Sequence, residues 1–283
     1  MMLAALVAAL VAAGCGSVRH APAAAAAGHQ SARLAPVWRP GGSRSAVASA
    51  GATGETTAIA SLASRALGVE PPGEPLGADV GGLPRGVSAV ASAVAGPVAV
   101  YASPHDPVSD RQFPSRNPFG FTQVFLVKRS IRGWLEVYLP VRPNDATAWV
   151  RASSVRVRLD QYRVIVDTAR HELTILRAGR AVMHAPVGVG KAATPTPHGL
   201  FYVLEELRMT PSTGPYGTYA FGLSAYSNVL TTFGSGDAQV ALHGTDEPWT
   251  IGENTSNGCI HMSDTVADEL ARTLPLGTPV QIV

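Results

Sequence analysis

The chain has 283 residues, of which 46% are hydrophobic and 15% charged, with a net charge of +2 at pH 7. That length admits two domains of about 100–150 residues plus a tail. The scattered charge, nearly all Arg with Lys only at Lys128 and Lys191, argues against a nucleic acid partner.

Residues 1–15 begin with an apolar run, Met1 to Gly14, shorter than the roughly 20 residues a membrane span needs. The run has the length of a signal-peptide core. Ala13 and Gly14 before Cys15 resemble a bacterial lipoprotein cleavage site, at which the cysteine becomes the acylated N-terminus, although no Lys or Arg precedes the run and Ala12 stands where Leu is commoner. Lipidation at Cys15 predicts an extracytoplasmic protein of the cell envelope, tethered to the outer face of the cytoplasmic membrane; an ordinary cleaved leader predicts a secreted one. Residues 16–96 are rich in Ala, Gly, Ser and Pro and poor in bulky apolar groups. Such a segment buries too little surface to offset its ordering entropy, which predicts a flexible tether. A short helix around Thr57 to Leu67 is the one alternative within it.

From 97 to 158 the texture changes to short β-type runs, at Val98 to Tyr101, Thr122 to Lys128, Trp134 to Leu139 and Ala148 to Val150. Turn residues such as Arg142-Pro143-Asn144-Asp145 separate them, which favours a small barrel or sandwich. The pattern Gly133-Trp134-Leu135-Glu136-Val137 followed by Trp149-Val150-Arg151 resembles a bacterial SH3-like domain. Trp134 and Trp149 fit either a wall-binding face or a plain aromatic core. Beyond Tyr162, Arg163 to Asp167, Glu172 to Leu176 and Ala181 to Val189 predict a meander of strands. Ser263 caps a helix carrying Val266, Leu270 and Leu274, and Pro279 to Val283 predicts a last strand. The domain 162–283 is expected to be mainly β with one or two short helices.

Chemistry concentrates at Val240-Ala241-Leu242-His243-Gly244-Thr245 and, sixteen residues after the histidine, at Cys259 in Ser256-Asn257-Gly258-Cys259-Ile260-His261. A thiol attacks carbonyls as thiolate, so it needs a neighbouring base, and His243 at a strand end is the best candidate. The amides of Asn257, Gly258 and Cys259 are suited to holding an oxyanion. With Cys15 cleaved away or acylated, the sequence offers Cys259 no disulfide partner. His261 is a lesser candidate base, sharing a face with Cys259 in an extended segment. Tyr216, Tyr219, Phe221 and Tyr226 lie in a Gly- and Ser-rich stretch that reads either as a lid over substrate or as loop anchors and core. His184 and His198 have no ligand cluster beside them and read as ordinary histidines, so neither metal nor cofactor is expected.

His243-Gly244-Thr245 together with Ser256-Asn257-Gly258-Cys259-Ile260 resembles the signature of the YkuD-type L,D-transpeptidase catalytic domain. Gly188-Val189-Gly190, Thr194-Pro195-Thr196-Pro197 and Leu276-Gly277-Thr278-Pro279-Val280 resemble its other recurrent stretches, so the likeness runs from about Tyr162 to Val283. It implies a β-sandwich acting on peptidoglycan stem peptides, with Cys259 as nucleophile, His243 as general base and Asn257 to Cys259 as oxyanion hole. By the same resemblance Ser256, Gly258 and Gly244 belong to the substrate-binding loops. Two positions depart from the family pattern. Asn257 stands where His is common and is expected to order its loop, while His261 replaces a common Arg and with Tyr219 is a candidate for substrate contact or loop anchoring. The implied reaction is a cross-link between third-position residues; the alternatives are hydrolysis by the same acyl-enzyme (carboxypeptidase or endopeptidase) and a non-catalytic wall-binding protein.

Overall fold

The computed structural model describes residues 82–283; the leader, Cys15 and the expected helix at Thr57 to Leu67 lie outside them. Two β units follow one another. The first is a seven-stranded sheet built from β1 (Ser88–Ala93), β2 (Val98–Tyr101), β3 (Arg111–Phe113), β4 (Val124–Ile131), β5 (Trp134–Tyr138), β6 (Thr147–Arg151) and β7 (Val155–Asp160), in the order β3-β2-β6-β5-β4-β1-β7. Alternation explains these strands: Phe125, Val127, Leu135, Val137, Ala148 and Val150 point into one core, and the residues between them, Val124 and Leu126 as well as Lys128 and Glu136, face away from it. Strand β1 lies within the span expected to be tether and pairs with both β4 and β7, so ordered structure begins before residue 97. Its sequence Ser-Ala-Val-Ala-Ser-Ala has the composition of linker, and only pairing between two neighbours makes it a strand. Trp149 is buried beneath the Arg129 guanidinium, and Trp134 is partly covered by Arg151.

The second unit is an eight-stranded sheet in the order β10-β9-β8-β17-β12-β13-β14-β16. Its members are β8 (Tyr162–Asp167), β9 (Glu172–Arg177), β10 (Arg180–Pro186), β12 (Gly199–Arg208), β13 (Tyr219–Tyr226), β14 (Gln239–His243), β16 (Ile260–His261) and β17 (Pro279–Ile282). A parallel pair, β11 (Val189–Gly190) with β15 (Asn254–Ser256), ties the loops beside it. Helix α1 (Asp264–Thr273) covers one face, where Ala267 and Leu270 join Val203, Phe221, Leu223, Leu242 and Ile260 in the main core. Its N-cap is the expected one: the Ser263 hydroxyl accepts from the Val266 amide at 3.3 Å. The architecture is mainly β, with a single α-helix among the described residues.

The stretch read either as a lid or as loop anchors and core is largely β13, an interior strand between β12 and β14. Tyr219, Phe221 and Leu223 enter the main core, whereas Ala220 and Gly222 face the opposite side. Small residues on that second face gave the segment its loop-like composition.

The two units pack through Val90, Val124 and Leu126 against Tyr202 and Leu204. Polar contacts fix the docking. The Tyr202 hydroxyl donates to the Tyr138 carbonyl at 3.0 Å and that of Tyr226 to the Pro140 carbonyl at 3.1 Å. Asn144 accepts from the Tyr226 amide and donates to its carbonyl, so one side chain satisfies both backbone groups at the end of β13.

Candidate active site

Strand register brings the sequence-predicted residues together. In β14 the residues Gln239, Ala241 and His243 alternate onto the face away from the main core. Antiparallel pairing sets Gly222 beside Ala241 and Ala220 beside His243, and parallel pairing sets His261 beside His243. One step back along that register Cys259 lies beside Ala241, whose amide donates to Cys259 Sγ at 3.4 Å. Cys259, His243 and His261 therefore form one cluster on one face of the sheet. Diagonal neighbours of this kind are within reach of long side chains.

The imidazole of His243 is fully buried, and its Nδ1 lies 2.5 Å from the Gly244 carbonyl. A carbonyl only accepts, so Nδ1 carries the proton and Nε2 presents a lone pair. Among the described residues that Nε2 has no hydrogen-bond partner. Burial, reinforced by the neighbouring His261, lowers the His243 pKa to about 3, so the ring is neutral at physiological pH. Tyr216 packs against it with ring centroids 4.9 Å apart.

The turn beneath the ring is fixed by Asp264, the first residue of α1. Its carboxylate accepts from the Thr218 amide at 3.1 Å and occupies the space that a Cβ on Gly244 would need. Asp264 is also the first-turn acid of α1, and its second role appears where the chain folds back to Gly217 and Thr218.

His261 lies with its ring 4.7 Å from that of His243. The Thr250 hydroxyl donates to the Glu247 carbonyl and accepts from His261 Nδ1 at 3.0 Å, so this ring also carries its proton on Nδ1. Burial lowers its pKa to about 4, with Asp246 opposing. His261 ties the turn Pro248–Thr250 to the back of the His243 ring.

The loop before the cysteine is built by side chains already in the motif. Ser256 Oγ donates to the Cys259 carbonyl at 2.6 Å and accepts from the Gly258 amide at 3.0 Å. That amide is therefore engaged within the loop, so of the three amides expected to hold an oxyanion Gly258 already has an acceptor. Gly258 has φ +120°, a conformation open to glycine and poor for other residues. Asn257 accepts from Lys191 Nζ at 2.9 Å, consistent with the loop-ordering role expected of it. Tyr219 does not contact this face: its ring packs into the main core near Phe221, and its carbonyl accepts from the Gly244 amide. Tyr216 takes the position beside the cysteine.

Cys259 is disulfide-bonded in this structure, contrary to the sequence expectation. That expectation rested on the fate assigned to Cys15, not on the surroundings of Cys259. Nucleophilic chemistry at this position belongs to the reduced thiol. Among the described residues no group of three or more His, Cys, Asp or Glu is placed to hold a metal ion.

Residues 161–282 match the family model of the L,D-transpeptidase catalytic domain, YkuD. The second unit of this chain is a YkuD-type L,D-transpeptidase catalytic domain. It is 35% identical over 121 residues to YkuD of Bacillus subtilis, itself only provisionally assigned L,D-transpeptidase activity; the match covers 43% of this chain and 65% of the relative. A second B. subtilis protein with the same provisional assignment, YqjB, is 27% identical over 129 residues, 42% of this chain and 69% of that one. Among solved structures, an L,D-transpeptidase from Mycobacterium smegmatis aligns at TM-score 0.35 with 16% identity, covering 53% of this chain and 89% of that one. The catalytic domain of an Enterococcus faecium L,D-transpeptidase aligns at TM-score 0.32 with 24% identity, covering 43% and 96%.

Proposed function

We propose that the protein is a peptidoglycan L,D-transpeptidase that joins third-position residues of neighbouring stem peptides through a thioester on Cys259. The observation that carries the reading is the tautomer of His243. A base needs an open lone pair, and a neutral imidazole with its proton pinned at the Gly244 carbonyl keeps one on Nε2. The thiol proton passes to Nε2 as sulfur adds to the carbonyl of the third stem residue. The oxyanion formed is held by loop amides ahead of the cysteine. Collapse breaks the bond to the terminal D-Ala, whose nitrogen recovers the proton from the imidazolium. An amine from a second stem then attacks the thioester, gives a proton to Nε2, and restores the thiol as the new amide forms.

Hydrolysis by water at the same thioester is the rival outcome, and the reduced full chain incubated with disaccharide tetrapeptide distinguishes them by product mass. Cross-linked dimer that disappears in Cys259→Ala supports transpeptidation; free D-Ala without dimer supports a carboxypeptidase. Neither product, together with no carbapenem adduct, leaves a non-catalytic wall protein. The preceding β unit, read from its motif as SH3-like, is proposed to position the catalytic unit on the wall. Peptidoglycan lies outside the cytoplasmic membrane, and the protein is proposed to act there in the form with Cys259 reduced, tethered by acylation of Cys15. Incorporation of a labelled fatty acid into the wild type but not Cys15→Ser tests that anchor.

A further inference from the structure

The cavity beside the cysteine, of ≈ 480 Å³, is shared between the two β units. Its lining includes Cys259, Tyr216, Glu205 and Tyr226 of the catalytic unit, and Asn117 and Phe119 from the β3–β4 loop of the preceding one. Across its floor the register sets a row of four residues, Glu205 on β12, Gly222 on β13, Ala241 on β14 and Cys259 ahead of β16. The two middle positions are small, so the row forms a trough with a nucleophile at one end and a carboxylate at the other.

The carboxylate end is a built site. Glu205 is 2% exposed, in the sheet beside which Cys259 lies. Its Oε2 accepts from Asn117 Nδ2 at 2.8 Å and its Oε1 from Gln239 Nε2 at 2.7 Å. Asn117 is held in that orientation because its Oδ1 accepts from the Phe119 and Phe121 amides. The carboxylate lies over Gly222, where a Cβ would overlap Oε1. Two neutral donors leave further lone pairs on the carboxylate. No lysine or arginine hydrogen-bonds to Glu205 or forms an ion pair with it among the described residues, unlike Glu136 of the first unit, which is bridged by Lys128 and Arg129.

We propose that Glu205 is a specificity-determining residue that receives the terminal ammonium of a diamino acid in the third position of the acyl-donor stem, in a subsite completed by Asn117 from the preceding β unit. The proposal rests on the acyl-transfer reading and adds the side chain that is read. Its dimensions follow from the sheet. Strands lie about 4.8 Å apart, so a carboxylate lying over Gly222 is roughly 10 Å from the Cys259 column. A carbonyl under attack lies about 3 Å from sulfur, and an ammonium about 3 Å from the carboxylate that accepts from it. The six bonds from that carbonyl carbon to the ammonium nitrogen extend to about 7.5 Å at about 1.5 Å per bond in zig-zag. The extended reach exceeds the span by about 3 Å, so a diamino side chain with one or two gauche bonds fits the trough, and an uncharged side chain of similar length leaves the buried carboxylate without a counter-charge. The first unit thereby becomes part of the catalytic cleft rather than an appended module.

The test compares D-Ala release by the reduced full chain from two disaccharide tetrapeptides, with diaminopimelate or norleucine in the third position, alongside adduct formation with a carbapenem. The wild type is expected to prefer the diamino peptide by tenfold or more in kcat/KM, the scale of a hydrogen bond to a charged group. Glu205→Gln is expected to bring that ratio close to one, and Asn117→Ala to reduce it. A wild-type ratio near one, or a ratio that Glu205→Gln leaves intact, overturns the subsite while D-Ala release keeps the acyl-transfer reading. Absence of both D-Ala release and carbapenem adduct in the wild type overturns the acyl-transfer reading and the subsite with it. Because the wild-type ratio is itself decisive, a poorly folding variant does not rescue the proposal.

Discussion

Replacing Glu205 by Gln changes how stability depends on pH, in a direction the structure sets. Burial, only partly opposed by the Gln239 and Asn117 hydrogen bonds, raises the Glu205 pKa from its ordinary 4.5 to about 7. The folded state thus holds a proton that the unfolded chain releases above pH 4.5. The stability associated with that proton is fully present below the unfolded pKa and is lost as pH rises to about 7. At about 1.4 kcal/mol per pK unit the wild type loses about 3 kcal/mol across this window through this one group. The glutamine has no proton to lose. It does bring an amide donor toward those of Asn117 and Gln239, a cost independent of pH. The advantage of Glu205→Gln over the wild type is therefore expected to grow by about 3 kcal/mol between pH 4 and pH 8, from whatever offset the facing amides impose. For a folded part of about 200 residues this corresponds to a relative shift in melting temperature of roughly 6–12 °C. Urea unfolding of both proteins at a series of pH values reads the difference, and acid titration of His243 and His261 cancels in it. Parallel stability profiles would refute the reasoning, because they require a Glu205 carboxyl that ionises equally in both states.

Depression of the His243 pKa to about 3 means that its basic form persists well below pH 6. Carbapenem acylation of the reduced enzyme followed from pH 4 to 8 should show no acid limb centred near 6.5, and His243→Gln should slow it by about 10²–10⁴-fold. The same depression, shared by His261, puts native stability at risk in acid: it is present above pH 6.5 and falls as pH drops toward 4 and then 3, detectable as a steeper acid unfolding than in His261→Gln. Truncating His261→Ala removes packing behind the base and the tie to Thr250. We expect a loss of about 1–3 kcal/mol in urea unfolding and a lower kcat with little change in KM. Ser263→Ala should cost about 1 kcal/mol through the lost N-cap, again by urea unfolding, and leave the main-core strands in place by circular dichroism.

Strong alternation and turn residues made much of the fold legible. The strands at Val98, Trp134, Tyr162, Glu172 and Pro279 and the Ser263-capped helix stand where their patterns put them. Strands β1 and β13 were obscured for one reason: Ala, Gly and Ser on a strand face that meets a neighbour or a cleft carry no hydrophobic signal. The motif residues Cys259 and His243 were legible because their chemistry is confined to short segments. The residues that hold them were not, since Asp264, Thr250 and Lys191 act across loops that approach only in the folded chain. Sequence by itself determined the candidates for nucleophile and base, the family resemblance of the second unit and most of its strand pattern, because each is written in local residue types. Only the tertiary structure decided which face of β13 meets the cleft, which histidine nitrogen bears the proton, and that Glu205 and Asn117, 88 residues apart, share a hydrogen bond beside the trough. Those properties depend on burial and on register between strands distant in the chain, and a one-residue change of register would turn every such side chain to the other face.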